Sequence, residues 1–303
     1  MAHRSASGFR FLHWASIVAT LGCHRIPGEV PDGLRRDWLR RDIGVVERVL
    51  AGLPIAEGDT VDAVVARLGG VGRADTDLGF GGQSTFASIA GGYSSCSFSL
   101  LSLERRIIEA TVTCSAGAEG GSAMVVLRRI VKPPLVESTD GSKFTYSYAV
   151  DGGKGLLVAA VHQALGTPVV PAAPEPLMAA LNVLLSGPLT LGFACGAAGS
   201  PPPGRRQTDL LVGEKRADLL RVALRGTSPV GRVYAAEGLM TLAHDGIEMV
   251  EADRDAIAKL RAMPIPLSAC EGCMPTSTTA EQYLRGLPPR AAQGAQGAPD
   301  AGR

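Results

Sequence analysis

Between Cys96 and Cys114 the chain alternates strictly enough to constrain its local structure. Serines separate Cys96, Phe98 and Leu100, and polar or charged residues separate Ile108, Ala110, Val112 and Cys114. Successive side chains of a strand point to opposite faces, so 93–100 and 105–114 read as strands, each with one buried face. A hairpin turning near Ser102 to Glu104 with both buried faces together sets Cys96 opposite Ala110. Cys114 then lies roughly 13 Å away at about 3.3 Å per residue, beyond the roughly 7 Å between Cα atoms that a disulfide tolerates. Both cysteines are therefore expected to be small core residues and not a pair.

The segments around this hairpin predict an α+β chain. Gly33 to Leu53 carries Leu34, Trp38, Val45, Val46, Val49 and Leu50 at helical spacing. A second helix begins at Thr60, an N-cap beside Asp59, runs through Val61, Val64, Val65 and Leu68, and stops at Gly69-Gly70. A glycine-rich loop is expected from Gly70 to Ser84, and further strands at 123–131 and 143–150. After Gly152 to Gly155 comes a helix, Leu156 to Leu165, and the four prolines within Thr167 to Pro176 mark a linker. The remainder reads as helices at Leu177 to Leu185, Leu210 to Leu224 and Asp253 to Met263, with a last turn at Thr279 to Leu284. Gly187 to Gly204, containing Cys195, is a connection. The expected organisation is a signal segment 1–22, a small helix-plus-antiparallel-sheet domain 23–166, the linker 167–176, a mainly helical domain 177–286 and a disordered tail 287–303.

Composition narrows the function classes. Apolar residues at 46% and charged residues at 19% are too rich and too sparse, respectively, for a disordered chain. Thirty Lys plus Arg against twenty-nine Asp plus Glu give a net charge of +1. Such a balance produces no global field toward a polyanion, so nucleic acid is not an expected partner.

The first residues read as an address. His3, Arg4 and Arg10 precede an apolar stretch from Phe11 to Gly22, long enough for a signal core and short of the roughly 20 residues that span a bilayer. Ala19-Thr20-Leu21-Gly22-Cys23 resembles the lipobox of bacterial lipoproteins, in which the cysteine is lipidated and becomes the mature N-terminus. Thr20 and Leu21 depart from the family's usual Leu and small residue at those places, and His13 interrupts the core. The resemblance implies lipidation at Cys23 and a lipid-anchored protein on the periplasmic side of the envelope; the alternative is an amphipathic helix of a cytoplasmic protein.

The six cysteines are Cys23, Cys96, Cys114, Cys195, Cys270 and Cys273. With Cys23 acylated, an oxidising compartment leaves room for two disulfides and one thiol. Cys270-Glu-Gly-Cys273 supports a disulfide within the motif or to Cys195, half of a metal site, or a redox pair. Zinc would need further ligands, which Cys195 and His244 supply only if the fold brings them together. The motif follows Pro264-Ile265-Pro266 and precedes Pro275, in an expected loop and not at a helix start as in thioredoxin-like proteins.

No catalytic constellation emerges. Gly79-Phe80-Gly81-Gly82 follows no predicted strand, Gly153-Lys154-Gly155 lacks the rest of a P-loop, and Ser84 lacks the second glycine of a nucleophile elbow. His162 falls in an apolar helix, and His244 sits at a helix end, where a positive charge suits the dipole. No catalytic residue, metal or cofactor is therefore expected.

Two further resemblances bear on role. Asp218 to Leu242 looks like one HEAT-type helical hairpin: Ser228-Pro229 opens its second helix, and Arg232, Ala235, Ala236 and Leu239 match the repeat's run. HEAT units stack into protein-binding solenoids, although a stacking core needs about three or more copies. Gly58-Asp59-Thr60 and Leu68-Gly69, ahead of the hairpin, faintly resemble small outer-membrane assembly-factor lipoprotein domains over 58–114. The resulting expectation is a non-enzymatic envelope lipoprotein with a structural or protein-interaction role through its helical half. The alternatives are a thiol-redox or metal-binding protein using Cys270 and Cys273, and an intracellular protein.

Overall fold

A computed structural model describes residues 32–116, 136–137, 143–186, 189–196, 199–272 and 274–287. Residues 1–31 with the expected signal segment and Cys23, the expected strand at 123–131, Cys273 and residues 288–303 lie outside them. The described residues contain both helices and an antiparallel sheet, an α+β chain.

Helix α1 spans Asp32–Gly52 and α2 spans Val61–Leu68. Thr60 caps α2 by accepting from the Ala63 amide at 3.3 Å, and Gly69, with φ 70°, closes it in the left-handed conformation that glycine adopts without penalty. The helices bury Val45, Val46, Val49, Val61, Val64, Val65 and Leu68 against one sheet face, where they meet Phe98, Leu100, Val112 and Phe144. That sheet has the order β1-β2-β3-β4-β6-β5, from β1 (Val71–Gly79), β2 (Gly82–Ala90), β3 (Ser94–Leu103), β4 (Arg106–Ala116), β5 (Val136–Glu137) and β6 (Lys143–Ala149).

Three expectations fail here. The glycine-rich stretch from Gly70 to Ser84 is not a loop but β1, a two-residue turn and the start of β2. Phe80 and Gly81 take φ 55° and 80°, which joins two twisted strands without splaying them. β1 evades an apolar pattern because it is an edge strand, with Arg73, Asp75 and Asp77 along it. The β3–β4 hairpin turns at Glu104 and Arg105, with φ 49° and 68°, later than expected. The later turn and a register shift between Leu101 and Ser102 together carry Cys96 from Ala110 to Cys114; Ala110, Val112 and Cys114 keep their expected face, while Ile107 and not Ile108 joins that core. The Cα atoms of Cys96 and Cys114 lie 4.0 Å apart and their sulfurs within bonding distance, so the exclusion of this pair is overturned.

A carboxylate fastens α1 to the sheet. Asp42, buried on α1, accepts from the backbone amides of Gly92 (2.7 Å) and Ser94 (3.0 Å) and from the Ser94 hydroxyl (2.7 Å). A buried carboxylate with several donors is stabilised where an unpaired one would be expelled.

The second core is helical. It comprises α3 (Gly153–Leu165), α4 (Glu175–Ser186), α5 (Pro203–Gly213), α6 (Ala217–Leu224), α7 (Pro229–His244) and α8 (Glu251–Ala262). The strands β7 (Leu267–Glu271) and β8 (Met274–Thr278) and the short helix α9 (Ala280–Arg285) follow. The single helix expected over 210–224 is two, broken at Lys215, whose φ is 53°. The expected loop around Cys270 is the β7–β8 hairpin. Ser228 caps α7 by accepting from the Gly231 amide at 3.2 Å, with Pro229 opening the helix. Val233, Tyr234, Ala235, Ala236 and Leu239 of α7 are buried among the other helices.

Arg232 ties α7 to the β1–β2 turn. It is fully buried on α7, its Nη2 donates to the Leu78 carbonyl, and its guanidinium lies 5.1 Å from the Phe80 ring centre. Nε and Nη1 have no hydrogen-bond partner among the described residues, and burial holds the group down at about 10.

Candidate functional site

The features that converge most closely lie where the 189–196 segment runs beside β7. Leu191 donates to the Ser268 carbonyl and accepts from the Cys270 amide, both at 2.9 Å, and Gly196 donates to the Gly272 carbonyl at 2.8 Å. The segment thus acts as a third, parallel strand on the β7–β8 hairpin. It brings Cys195 to Cys270, with Cα atoms 5.7 Å apart and sulfurs within bonding distance, a placement compatible with a disulfide. Of the expected candidates, Cys195 and Cys270 are brought together; Cys23 and Cys273 lie outside the described residues.

Gly192 passes directly over this pair. A Cβ there would sit 2.7 Å from the Cys270 sulfur and 2.9 Å from its carbonyl oxygen, so no other residue fits without displacing the segment. Both half-buried cysteines line an open groove of about 600 Å³, whose walls include Pro201, Pro202, Arg206, Met274 and Pro275.

Behind the segment stands a buried charge cluster. Arg205 on α5 forms a two-pronged pair with Glu237 on α7, at 2.5 and 2.7 Å, and donates to the Tyr283 hydroxyl of α9 at 2.6 Å. Phe193 covers the Arg205 guanidinium at 4.4 Å from its ring centre. The Tyr234 hydroxyl donates to the carbonyls of Thr190 (2.8 Å) and Gly192 (3.2 Å), tying the segment to α7. Burial works against the charge on Arg205, but the hydrogen bonds and the negative charge of Glu237 outweigh it and raise the group further. Burial also drives the Tyr234 and Tyr283 phenols above their ordinary range, so both are neutral hydrogen-bonding groups.

The chemistry open to this arrangement is limited. The Arg205–Glu237 pair is satisfied within the protein, and a paired buried arginine is a structural tie and not a ready anion receptor. Neither described imidazole activates a nucleophile: His244 is solvent-exposed 3.8 Å from Asp245, and His162 on α3 forms no side-chain hydrogen bond among the described residues. Gly79 to Gly82 is a turn, and Lys154 pairs with Glu109 at 2.9 Å. Among the described residues no three His, Cys, Asp or Glu side chains are grouped to hold a metal ion. Among the described residues the reactive feature at this place is the sulfur pair.

Arg205, Glu237 and Tyr283 were missed in the sequence. The available signal was Glu237 itself, a charge within the otherwise uncharged run from Val233 to Leu242. A charge inside such a run implies a buried partner. No protein-family model, curated protein or solved structure matches the chain.

Proposed function

We propose that the chain is an exported, lipid-anchored bacterial envelope protein without catalytic activity, built from a helix-plus-sheet domain and a mainly helical domain that meets protein partners. The observation that carries this reading is that four cysteines stand in two pairs at disulfide distance. Disulfides persist in secreted and periplasmic proteins and are rare in a reducing cytosol. The signal-like start and Cys23 fit the same compartment, with Cys23 as the acylated residue. Two separate hydrophobic clusters support the division into domains.

The metal alternative weakens because Cys195 and Cys270 occupy each other; a zinc site needs both as thiolates with further ligands beside them. The partner role draws on the HEAT-like hairpin at 218–242 and on apolar side chains of the helical domain left in solvent, Leu210 and Val250 among them.

The experiment is the intact mass of protein from its native host beside that of a Cys23→Ala variant. A mature chain beginning at Cys23 with diacylglyceryl and acyl mass, lost in the variant, is the expected result. A chain of unprocessed mass overturns the reading.

A further inference from the structure

We propose that the Cys195–Cys270 bridge is a site of thiol–disulfide exchange with external dithiols, and that opening it releases the 189–196 segment from β7. The proposal rests on the reading above that the chain matures in an oxidising compartment. Its first support is access. Cys195 and Cys270 line the open groove, whereas Cys96 and Cys114 are 0% and 1% exposed within the sheet core. Exchange requires a thiolate to reach one sulfur in line, so the groove pair is open to attack in the folded protein and the core pair is not.

The second support is what the bridge holds. Without it the segment keeps three short backbone hydrogen bonds to the β7–β8 hairpin, those of Leu191 with Ser268 and Cys270 and of Gly196 with Gly272, and at its start the burial of Leu189 and Leu191 in the helical core, so the part from Phe193 onward depends most on the bridge. The same segment supplies Phe193 over Arg205 and the two carbonyls that accept from Tyr234. Releasing it uncovers the Arg205–Glu237–Tyr283 cluster, so a covalent event in the groove is transmitted to the helical core.

The step balances with a dithiol as reductant, either a protein dithiol or a small one. Its thiolate attacks one sulfur of the bridge, forming a mixed disulfide and expelling the other cysteine as a thiolate, which takes a proton from solvent. The donor's second thiol then attacks the mixed disulfide, and the donor leaves as its own disulfide. Two electrons and two protons have passed to Cys195 and Cys270.

The test uses the full chain carrying Cys273→Ser, so that this thiol cannot enter the exchange, with dithiothreitol as the probe under native conditions. Alkylation followed by mass mapping reads each cysteine, and amide hydrogen exchange reads the segment. Cys195 and Cys270 are expected to become alkylated at least about ten-fold faster than Cys96 and Cys114, with amides of 189–196 losing protection by a similar factor while 82–116 is unchanged. A Cys195→Ser/Cys270→Ser variant in the same background is expected to reproduce the exposed segment without reductant. Reduction of both pairs together, only on global unfolding, overturns the proposal, as does opening of the bridge with 189–196 still protected. If all four cysteines alkylate before any reductant is added, the compartment reading falls and takes the proposal with it. An oxidised bridge that resists dithiothreitol removes the exchange site alone.

Discussion

In the sheet half, Cys96 and Cys114 face each other across adjacent strands, closed off from solvent beneath α1 and α2. In the helical half, Cys195 and Cys270 join a backbone segment to a two-stranded hairpin at the wall of an open groove. The first pair reinforces a register that strand hydrogen bonds and side-chain packing already define. The second joins the hairpin to a segment that is otherwise held by three backbone hydrogen bonds, by the Tyr234 hydroxyl and by the buried Leu189 and Leu191. Chain entropy alone ranks them the other way, since the sequence separations are 18 and 75 residues and a longer closed loop restricts the unfolded chain more. Global stabilisation and local control are therefore separate properties of a disulfide, and burial decides which of the two is accessible to chemistry.

The polar interiors of the halves differ as well. Asp42 is satisfied by backbone donors in the sheet half, while the helical half buries a full ion pair. The largest effect is expected there. Glu237→Ala leaves Arg205 buried with only the more distant Asp209, at 3.8 Å, as a counter-charge and should cost about 3 kcal/mol in denaturant unfolding, whereas Arg205→Met with Glu237→Leu should come within about 1 kcal/mol of wild type or exceed it. A double variant as unstable as the single one would mean the pair does more than neutralise itself.

Of comparable size, Cys96→Ala with Cys114→Ala should lower stability by about 3 kcal/mol, the chain-entropy value for a loop of this length. The exchange pattern of 189–196 should stay as it is. A loss confined to the groove would break the comparison.

Arg232 probes the contact between the halves. Its charge is buried with two nitrogens unpartnered among the described residues, so Arg232→Met is expected to be neutral or to stabilise by about 1–3 kcal/mol. A strong loss of stability would show that its bond to Leu78 and its contact with Phe80 outweigh that burial.

The smallest effect concerns α9, which carries Tyr283 into the cluster. Hydrogen bonds from Arg261 and then Arg285 hold the Glu281 carboxyl down at about 2, against 4.5 ordinarily. The folded-state value is depressed, so the stabilisation is fully present above 4.5 and is lost as pH falls from 4.5 through 2. Exchange protection of 280–285 should decline over that window and become independent of pH there in Glu281→Gln.

Much of the fold was legible because local rules wrote it. Thr60, Gly69 and the four apolar residues between them define α2, and the serine alternation defines β3. Register was not legible. Alternation fixes which face a side chain takes, but every even shift of the partner strand preserves that face, and here the turn and the register shift between Leu101 and Ser102 select among them. The turn residues Glu104 and Arg105 carry no glycine or asparagine to announce positive φ. β1 was lost for a related reason: as an edge strand it is specified by pairing with β2 and not by its own pattern. At the site, Cys195 and Cys270 were visible as candidates, but their pairing depends on a parallel bridge between segments far apart in sequence. Arg205 and Tyr283 gave no local sign because their surroundings are supplied by three different helices.

The central claim is that the folded chain is oxidised at two sites of unequal accessibility, and it is tested most directly by alkylating protein from the native host in denaturant without reductant. The account predicts that Cys96, Cys114, Cys195 and Cys270 are all protected and map as the pairs 96 with 114 and 195 with 270. Modification of these four without reductant would contradict it and return the chain to a reducing compartment.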